Sequence, residues 1–534
     1  MRPGWPLRFS RPTKAIGIMK EDIAEKVKSY RKSLRQEMGI PSPADTRFIP
    51  PLERSFVKSE RKDVTILFGG LTLTHEVLLK GVLEGLGYRA DYIPAPDNAA
   101  LSLGREYCNR GQCNPTYYTV GNLIKHLERL RSEGEEDIED RYVFATVGSC
   151  GPCRLGMYEE EYKRALKAAG FERFRVIMIN QHGDIEKEAK EEAGLTAGKE
   201  FYKTVIKSLM AADLINEMRC RIRPYEVQAG ATEAAAKEAT DLLYRTFKEK
   251  KSVFLALRQT KKIFEGVEAD YTRLKPKIKI IGEFWAQTTE GDGNYRLPEW
   301  LEKEGCEVVI EPVSVMVHYT IWLWRQYLMD RILTNAPFSR RYYLFAGYLK
   351  LSIVEKLFQF YYNFYRMALG FVSKPLPSQN KLAKLAEGYF DTRITGGEGH
   401  LEIAKNLLAI QENKAHLVIS VKPFGCMPST QCDGVQVKVM SDHKEGLFIP
   451  IETSGDGEVN VKSRIQMKLH EAREKAKEEF SRVLSDAGLC SETVKNVSKG
   501  GGYTSSALVK FPSRAAVTAA NYVLCLAKKG RLSA

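Results

Sequence analysis

Six of the ten cysteines form three close pairs, each on a turn rich in glycine and proline. The pairs are Cys108/Cys113 in YCNRGQCNP, Cys150/Cys153 in GSCGPCRLG and Cys426/Cys432 in FGCMPSTQCDG. Glycine lets the backbone approach an inorganic group closely, and the N–H groups of such turns can hydrogen-bond to sulfur. Three such turns, far apart in the sequence, predict thiolate ligands for one metal cluster.

The remaining four cysteines stand singly in helix-like or strand-like sequence, and we interpret them as small buried apolar residues. They are Cys220, Cys306, Cys490 and Cys525. For the pairs, two other chemistries are open. Disulfides are disfavoured in a reducing compartment. Zinc is favoured by the spacing of Cys150 and Cys153, but six thiolates are too many for one zinc ion and too few for two four-cysteine sites.

Iron–sulfur clusters fit the number of cysteines in two ways. A four-iron cubane takes four cysteines, or three when one iron is left open for substrate. Six cysteines can also serve two cubanes with three ligands each, if a shared sulfide completes both. The count therefore allows either a single [4Fe-4S] cluster or an [8Fe-9S] double cubane.

Composition indicates an ordinary globular protein of two or three domains. The chain has 534 residues, 43% hydrophobic and 28% charged, with a formal net charge of +14. Lysine and arginine are mixed with acidic residues along the chain, so we expect no nucleic-acid partner. No apolar stretch reaches the roughly 18 residues of a membrane span, and no signal peptide is recognised. We therefore expect no membrane association and a cytoplasmic location.

Alternating strand, turn and helix patterns predict an α/β fold with two doubly wound parallel sheets and additional helical segments. The predicted strands are Val64–Phe68, Arg89–Ile93, Tyr142–Val147, Arg175–Asn180, Ile278–Gly282, Glu307–Glu311, His416–Val421, Val435–Val439 and Leu447–Ile451. Residues 317–372 are interpreted as aromatic-rich core helices.

These elements predict four segments: a lead-in with one helix over 1–60, a first α/β domain over 61–275, a second over 276–486 and an extension over 487–534. Parallel sheets bind ligands at the carboxyl ends of their strands. Cys150/Cys153 and Cys426/Cys432 each follow a predicted strand, one in each domain. The metal cluster is therefore expected in the cleft between the two domains.

Two other side chains are candidates for proton transfer in that cleft. His182 follows a strand of the first domain, and Glu283 ends the opening strand of the second. Histidine titrates near neutral pH, and a buried carboxyl group can serve as an acid or base. For His182 the alternative is a hydrogen-bonded structural histidine.

The cysteine turns and their surroundings resemble the 2-hydroxyacyl-CoA dehydratase component family, which includes double-cubane cluster proteins and the C-terminal part of large fused activases. The matching segments are GREYCNRGQCNPTYYTVGNLIKHL, GSCGPCRLGMY, EMRCRIRPYE, IKIIGEFWAQTTEGDGNY and ISVKPFGCMPST. The resemblance runs from about Val64 to Lys475. The cysteine turns are its specific part, since an α/β scaffold alone hosts many functions.

The resemblance implies repeated α/β domains around an iron–sulfur cluster, commonly in a homodimer, and electrons supplied by an ATP-hydrolysing iron–sulfur activase. No P-loop is found here, so ATP would be used by that separate partner and not by this chain. Six cysteines favour the double-cubane branch, a reductase acting on a small molecule. The alternatives are a dehydratase component acting on an acyl-CoA through one [4Fe-4S] cluster, and a zinc-stabilised binding protein.

Overall fold

The computed structural model describes most of the chain after residue 53. The described residues are 29–30, 33–34, 37–38, 54–148, 153–180, 194–196, 198–334, 338–394, 397–489, 504–510 and 514–528. The chain divides into two compact units, 1–54 and 55–534. Almost all of the lead-in predicted over 1–60 lies outside the described residues. The sheets and the cysteine turns belong to the second unit.

The strands of the described residues form two four-stranded sheets and one two-stranded ribbon. The strands are β1 (Thr65–Phe68), β2 (Arg89–Tyr92), β3 (Tyr142–Gly148), β4 (Arg175–Asn180), β5 (Glu268–Ala269), β6 (Lys277–Gly282), β7 (Glu307–Val309), β8 (Leu417–Pro423), β9 (Phe448–Thr453) and β10 (Ser505–Ser506).

The described α-helices cover much of the remaining chain. They are α1 (Leu73–Gly85), α2 (Asn98–Tyr107), α3 (Asn114–Ser132), α4 (Ile138–Arg141), α5 (Tyr158–Ala168), α6 (Lys199–Ile222), α7 (Ala231–Lys248), α8 (Val253–Glu265), α9 (Phe284–Thr288), α10 (Leu297–Lys303), α11 (Val313–Leu333), α12 (Phe338–Ala368), α13 (Gln379–Ala386), α14 (His400–Gln411), α15 (Met427–Asp442), α16 (Glu458–Asp486) and α17 (Thr518–Lys528).

The two large sheets repeat one topology. The first has the order β2-β1-β3-β4 and the second β7-β6-β8-β9, and every pairing in both is parallel. The α/β class and the parallel sheets predicted from the sequence are confirmed. In each sheet the order reverses between its first and third strands, β1 and β3 or β6 and β8, which is where such sheets bind ligands.

Helices cover both faces of the sheets. In the first sheet, Ile66 and Val143 join one buried cluster with α1 and α6, whereas Leu67 and Phe144 join another with α3 and α5. Neighbouring residues of a strand point to opposite faces, so this division means that each face is buried. The second sheet is divided in the same way, with Ile280 on one face and Ile281 on the other.

A helical layer built from α6, α7, α8 and α12 forms the largest buried apolar cluster. The ribbon of β5 and β10 and helix α17 attach the C-terminal segment to this layer, since Tyr522 and Leu526 belong to the same cluster. The additional helical segments predicted from the sequence are therefore present. In the described part of the chain, no helix is both long enough and apolar enough to cross a membrane.

Two sequence predictions are wrong. Val435–Val439 alternates like a strand but lies inside helix α15, which begins after Cys426 with a proline in its first turn and buries Val439. Local β propensity is weaker than a well-formed helix start combined with tertiary packing. Within the predicted range 317–372, α11 and α12 are indeed helices, but one face of α12 is exposed rather than core.

Candidate functional site

Three of the paired cysteines occupy the same local position, the residue that caps the N-terminus of a helix. Cys113 caps α3, Cys426 caps α15, and Cys153 caps a short 3₁₀-helix, Arg154–Met157, that leads into α5. Unpaired N–H groups and the helix dipole favour negative charge at such a position. The three sulfurs thus share a position at the start of a helix, although burial outweighs the helix dipole and raises the pKa of the Cys153 and Cys426 thiols.

The first and third turns share a sequence pattern that the predictions above did not use. Cys113-Asn-Pro-Thr116 and Cys426-Met-Pro-Ser429 both have the form Cys-x-Pro-hydroxyl. Proline fits the first turn of a helix, where its missing N–H costs nothing. The Thr116 hydroxyl lies 3.3 Å from the Cys113 sulfur, and Ser429 occupies the equivalent place three residues after Cys426. This repeated pattern is the signal that could have identified both caps from the sequence.

The first and third turns are in direct contact. The Asn114 N–H donates to the carbonyl oxygen of Phe424 over 3.0 Å, and the Asn114 side-chain amide donates to that of Thr453 over 2.6 Å. Gly425 has a φ of +77°, and a Cβ there would stand 3.3 Å from the Cα of Cys113. Glycine is therefore needed at this point of contact, both for its conformation and for the approach of the two turns.

The second turn meets the other two. Arg154 Nε donates to the carbonyl oxygen of Gly425 over 3.2 Å, across 271 positions of sequence. Burial raises the pKa of the Cys153 thiol to about 12, and the nearby negative charges of Glu283, Glu398 and Cys113 act in the same direction. Cys153 and Arg154, the described part of the second turn, therefore lie beside the third turn, and the meeting of all three complete turns stays a prediction.

Two carboxyl groups lie beside these thiols, and Glu283 is one of them, at the end of β6 where the sequence placed it. Its side chain accepts the Ala286 N–H over 2.8 Å and caps α9, and burial raises its pKa. Glu398, whose carboxylate accepts the Phe284 N–H, was missed because no motif surrounds it. Burial, together with the neighbouring Glu283 carboxyl group, raises the pKa of Glu398.

Cys108 and Cys432, the other two described cysteines of the pairs, do not lie at the N-terminus of a helix. Cys108 ends helix α2, where burial raises the pKa of its thiol to about 12 with a smaller contribution from Glu161. Cys432 lies inside α15, and its sulfur is 3.5 Å from the carbonyl oxygen of Gly399. Burial raises the Cys432 pKa, and Glu402 and Glu398 raise it further. Glu398 is therefore a common neighbour of the Cys432, Cys153 and Cys426 thiols. It does not act on Cys108.

The surroundings of the thiols indicate which kind of metal group they could bind. Burial raises the pKa of Cys426 well above the ordinary thiol value, and Glu283 raises it further. Buried sulfur among carboxyl groups becomes a thiolate only when a positive centre compensates its charge. Soft thiolates on N–H-rich turns with a close-approach glycine fit an iron–sulfur cluster. Within the described residues, no three His, Cys, Asp or Glu side chains are spaced to hold a single metal ion.

The other predicted residues lie either away from the turns in sequence or outside the described part of the chain. Cys150 and His182 lie outside the described residues. Cys306 is fully buried in the apolar cluster of the second sheet, and Cys220 lies in α6 and Cys525 in α17, each remote in the sequence from the three turns. Cys490 also lies outside the described residues.

No protein-family model matches this chain, and no curated protein matches it significantly. The site must therefore be interpreted from its own geometry.

Proposed function

We propose that this chain is an iron–sulfur protein of the reductase type, with its cluster at the junction of the three cysteine turns. The observation that supports the proposal is that Cys113, Cys153 and Cys426 each begin a helix, while hydrogen bonds from Asn114 and Arg154 join their turns at Phe424 and Gly425. Packing alone does not require cysteine at these places, because any small apolar residue would fill the same space.

Both the double cubane and the single cubane would be held by Cys113, Cys153 and Cys426. When bound, the cluster supplies one-electron transfer at a potential set by charge, hydrogen bonds and exposure. The chain contributes the surroundings. Buried carboxyl groups such as Glu283 and Glu398 favour a low potential, the buried Lys422 amine near Cys426 and Cys432 opposes it, and Gly425 allows close approach.

A cluster of low potential must receive its electrons from a strongly reducing donor. The resemblance to the dehydratase component family indicates which kind of protein that donor is. We propose a separate ATP-hydrolysing iron–sulfur activase as the partner, since the sequence has no P-loop of its own. The acceptor would be a small molecule bound beside the cluster. In this arrangement all six paired cysteines serve a double cubane.

The second candidate is a 2-hydroxyacyl-CoA dehydratase component with a single open [4Fe-4S] cluster. A specific observation favours it. Among the described cysteines, only Cys113, Cys153 and Cys426 cap helices at the junction, and three is the number of thiolates that an open cubane uses. Cys108 and Cys432 would then be structural.

Metal analysis separates these proposals. The full chain should be purified without oxygen, supplied with iron and sulfide, and assayed for iron, acid-labile sulfide and zinc per chain. About eight irons supports the double cubane and about four supports the single cluster. A colourless protein that retains stoichiometric zinc and takes up no iron would overturn both. An electron paramagnetic resonance signal after reduction provides a second readout that needs no substrate.

A further inference from the structure

Helix α12 has two apolar faces, and the structure buries only one of them. Phe358, Tyr362 and Tyr365 are buried against the helical layer. On the opposite face, six large apolar side chains follow one another at intervals of three or four residues. Their exposed fractions are 74% for Tyr342, 56% for Phe345, 51% for Leu349, 53% for Ile353, 50% for Leu357 and 61% for Phe360. We refer to these six as the outer stripe.

The outer stripe is continuous along the helix. At 100° per residue its six members fall within a sector of roughly 120°, the width of an apolar stripe that normally faces a protein core. Scattered exposed apolar residues are common on protein surfaces, but a continuous stripe of this kind marks an interaction surface.

The positions of the outer stripe are symmetric about their own centre. Tyr342 pairs with Phe360, Phe345 with Leu357 and Leu349 with Ile353, and each pair has its midpoint at residue 351. A two-fold interface needs this property, because residue i of one copy contacts residue j of the other while j contacts i. Two α12 helices packed antiparallel about residue 351 would therefore match side chain to side chain.

Charge does not oppose this pairing. The cations of this part of α12 are Arg340, Arg341, Lys350 and Lys356. Reflected about residue 351, they fall opposite positions 362, 361, 352 and 346, which are tyrosine, tyrosine, serine and alanine. No cation faces a cation, so the repulsion that penalises like charges across an interface is avoided.

The apolar area of the outer stripe approaches that of one side of a stable dimer interface. Large side chains bury about 150–250 Å² each, so the exposed fractions of the outer stripe correspond to roughly 600 Å² per copy. A standard interface buries about 800 Å² per partner, and flanking side chains such as Tyr343, which is also exposed, would supply the difference.

We propose that the outer stripe of α12 is a homodimer interface, in which two copies of this chain pack their α12 helices antiparallel about residue 351. The interface consists of the three symmetric pairs, each formed twice. It is separate from the cysteine turns and does not depend on the proposed cluster.

The experiment uses a charge exchange that reports the register. The mass of the full chain in solution would be measured by light scattering and sedimentation over a range of concentrations, with twice the chain mass expected. Phe345→Asp alone and Leu357→Lys alone should each raise the dimer dissociation constant at least about 100-fold, because each change places a charge in the interface twice. The double variant should recover most of the dimer, since the introduced charges face each other across the two-fold axis.

Positions 345 and 357 are twelve residues apart, about 18 Å along the helix, so the introduced charges cannot pair within one chain. Val459→Asp, at an exposed apolar residue of α16, is the matched control and should leave the dimer intact. Circular dichroism would confirm that every variant is folded. A monomeric wild-type chain, a dimer unaffected by Phe345→Asp, or no recovery in the double variant would overturn the proposal. Binding of the monomer to anionic vesicles or to an acidic peptide through this stripe would also count against it.

Discussion

Gly425 lies against Cys113, with the position that a Cβ would take only 3.3 Å from the Cα of Cys113 and 3.1 Å from the Gln112 carbonyl oxygen. This contact joins the first and third cysteine turns. It brings two helix-capping thiols into one region although more than 300 residues separate them. The absence of a side chain at position 425 is thus part of how the site is assembled.

Gly425→Ala should destabilise the protein by about 2–3 kcal/mol. The φ of +77° alone costs a residue with a side chain about 1–2 kcal/mol, and the contact with the first turn adds to this. The measurement is the free energy of unfolding by chemical denaturation. Gly230→Ala is the control, because Gly230 has a similar φ of +83° but no described atom within 4 Å of the position that a methyl group would take. Equal losses in the two variants would show that the contact is unimportant.

Serine substitution of Cys113, Cys153 or Cys426 should remove most of the bound iron and the visible absorbance, because each supplies a thiolate to the same cluster. Iron per chain and the absorption spectrum are the readouts. Cys525→Ser and Cys220→Ser serve as controls and should keep both. Cys108→Ser and Cys432→Ser then distinguish the arrangements. Loss of about half the iron supports the double cubane, and full retention supports a single cluster. Retention of all iron in the Cys113 variant would refute the assignment of that ligand.

Arg154→Met should accelerate the loss of iron to a chelator and lower the free energy of unfolding by about 1 kcal/mol, because one hydrogen bond between two turns disappears. Arg131→Met is the matched control. Arg131 also donates to one backbone carbonyl, that of Gly170 over 3.1 Å, but neither residue belongs to a cysteine turn. We expect the control to lose similar stability and to keep its rate of iron release. Identical release rates in both variants would mean that Arg154 does not hold the junction together.

Because of Glu76, the free energy of unfolding should fall as the pH rises. Burial raises the pKa of its carboxyl group from 4.5 to about 8, in spite of hydrogen bonds from the N–H groups of Gly70 and Leu71. Between these two pH values the folded chain keeps a proton that the unfolded chain has lost, so the free energy of unfolding falls with increasing pH.

Glu76→Gln removes this titration. Between pH 5 and pH 8 the wild type should lose at least about 2 kcal/mol relative to that variant, measured by denaturation at each pH. Glu265→Gln, at an exposed glutamate of α8, should follow the wild type. Parallel pH profiles for the wild type and Glu76→Gln would show that Glu76 is ionised in the folded protein.

Most strands of the two sheets could be predicted from local hydrophobic patterns in the sequence. The buried apolar runs around β1, β3, β6 and β8 are read correctly because strands covered on both faces must be continuously hydrophobic. The position of cysteines after β3 and β8 followed from the same pattern. Val435–Val439 was misread because alternation of valine and polar residues suits a strand, whereas the helix start at Cys426 decides the structure.

The sequence by itself determined which residues carry chemistry: paired thiols, glycine turns and a carboxyl group at the end of β6. Only the tertiary structure decided how they combine. It placed Glu398 beside Glu283, set Arg154 against Gly425, and left the outer stripe of α12 uncovered. The reason is physical. Strands and helices follow from interactions within a few residues, but burial, the pKa values that depend on it and the contact between distant turns arise only when the whole chain packs.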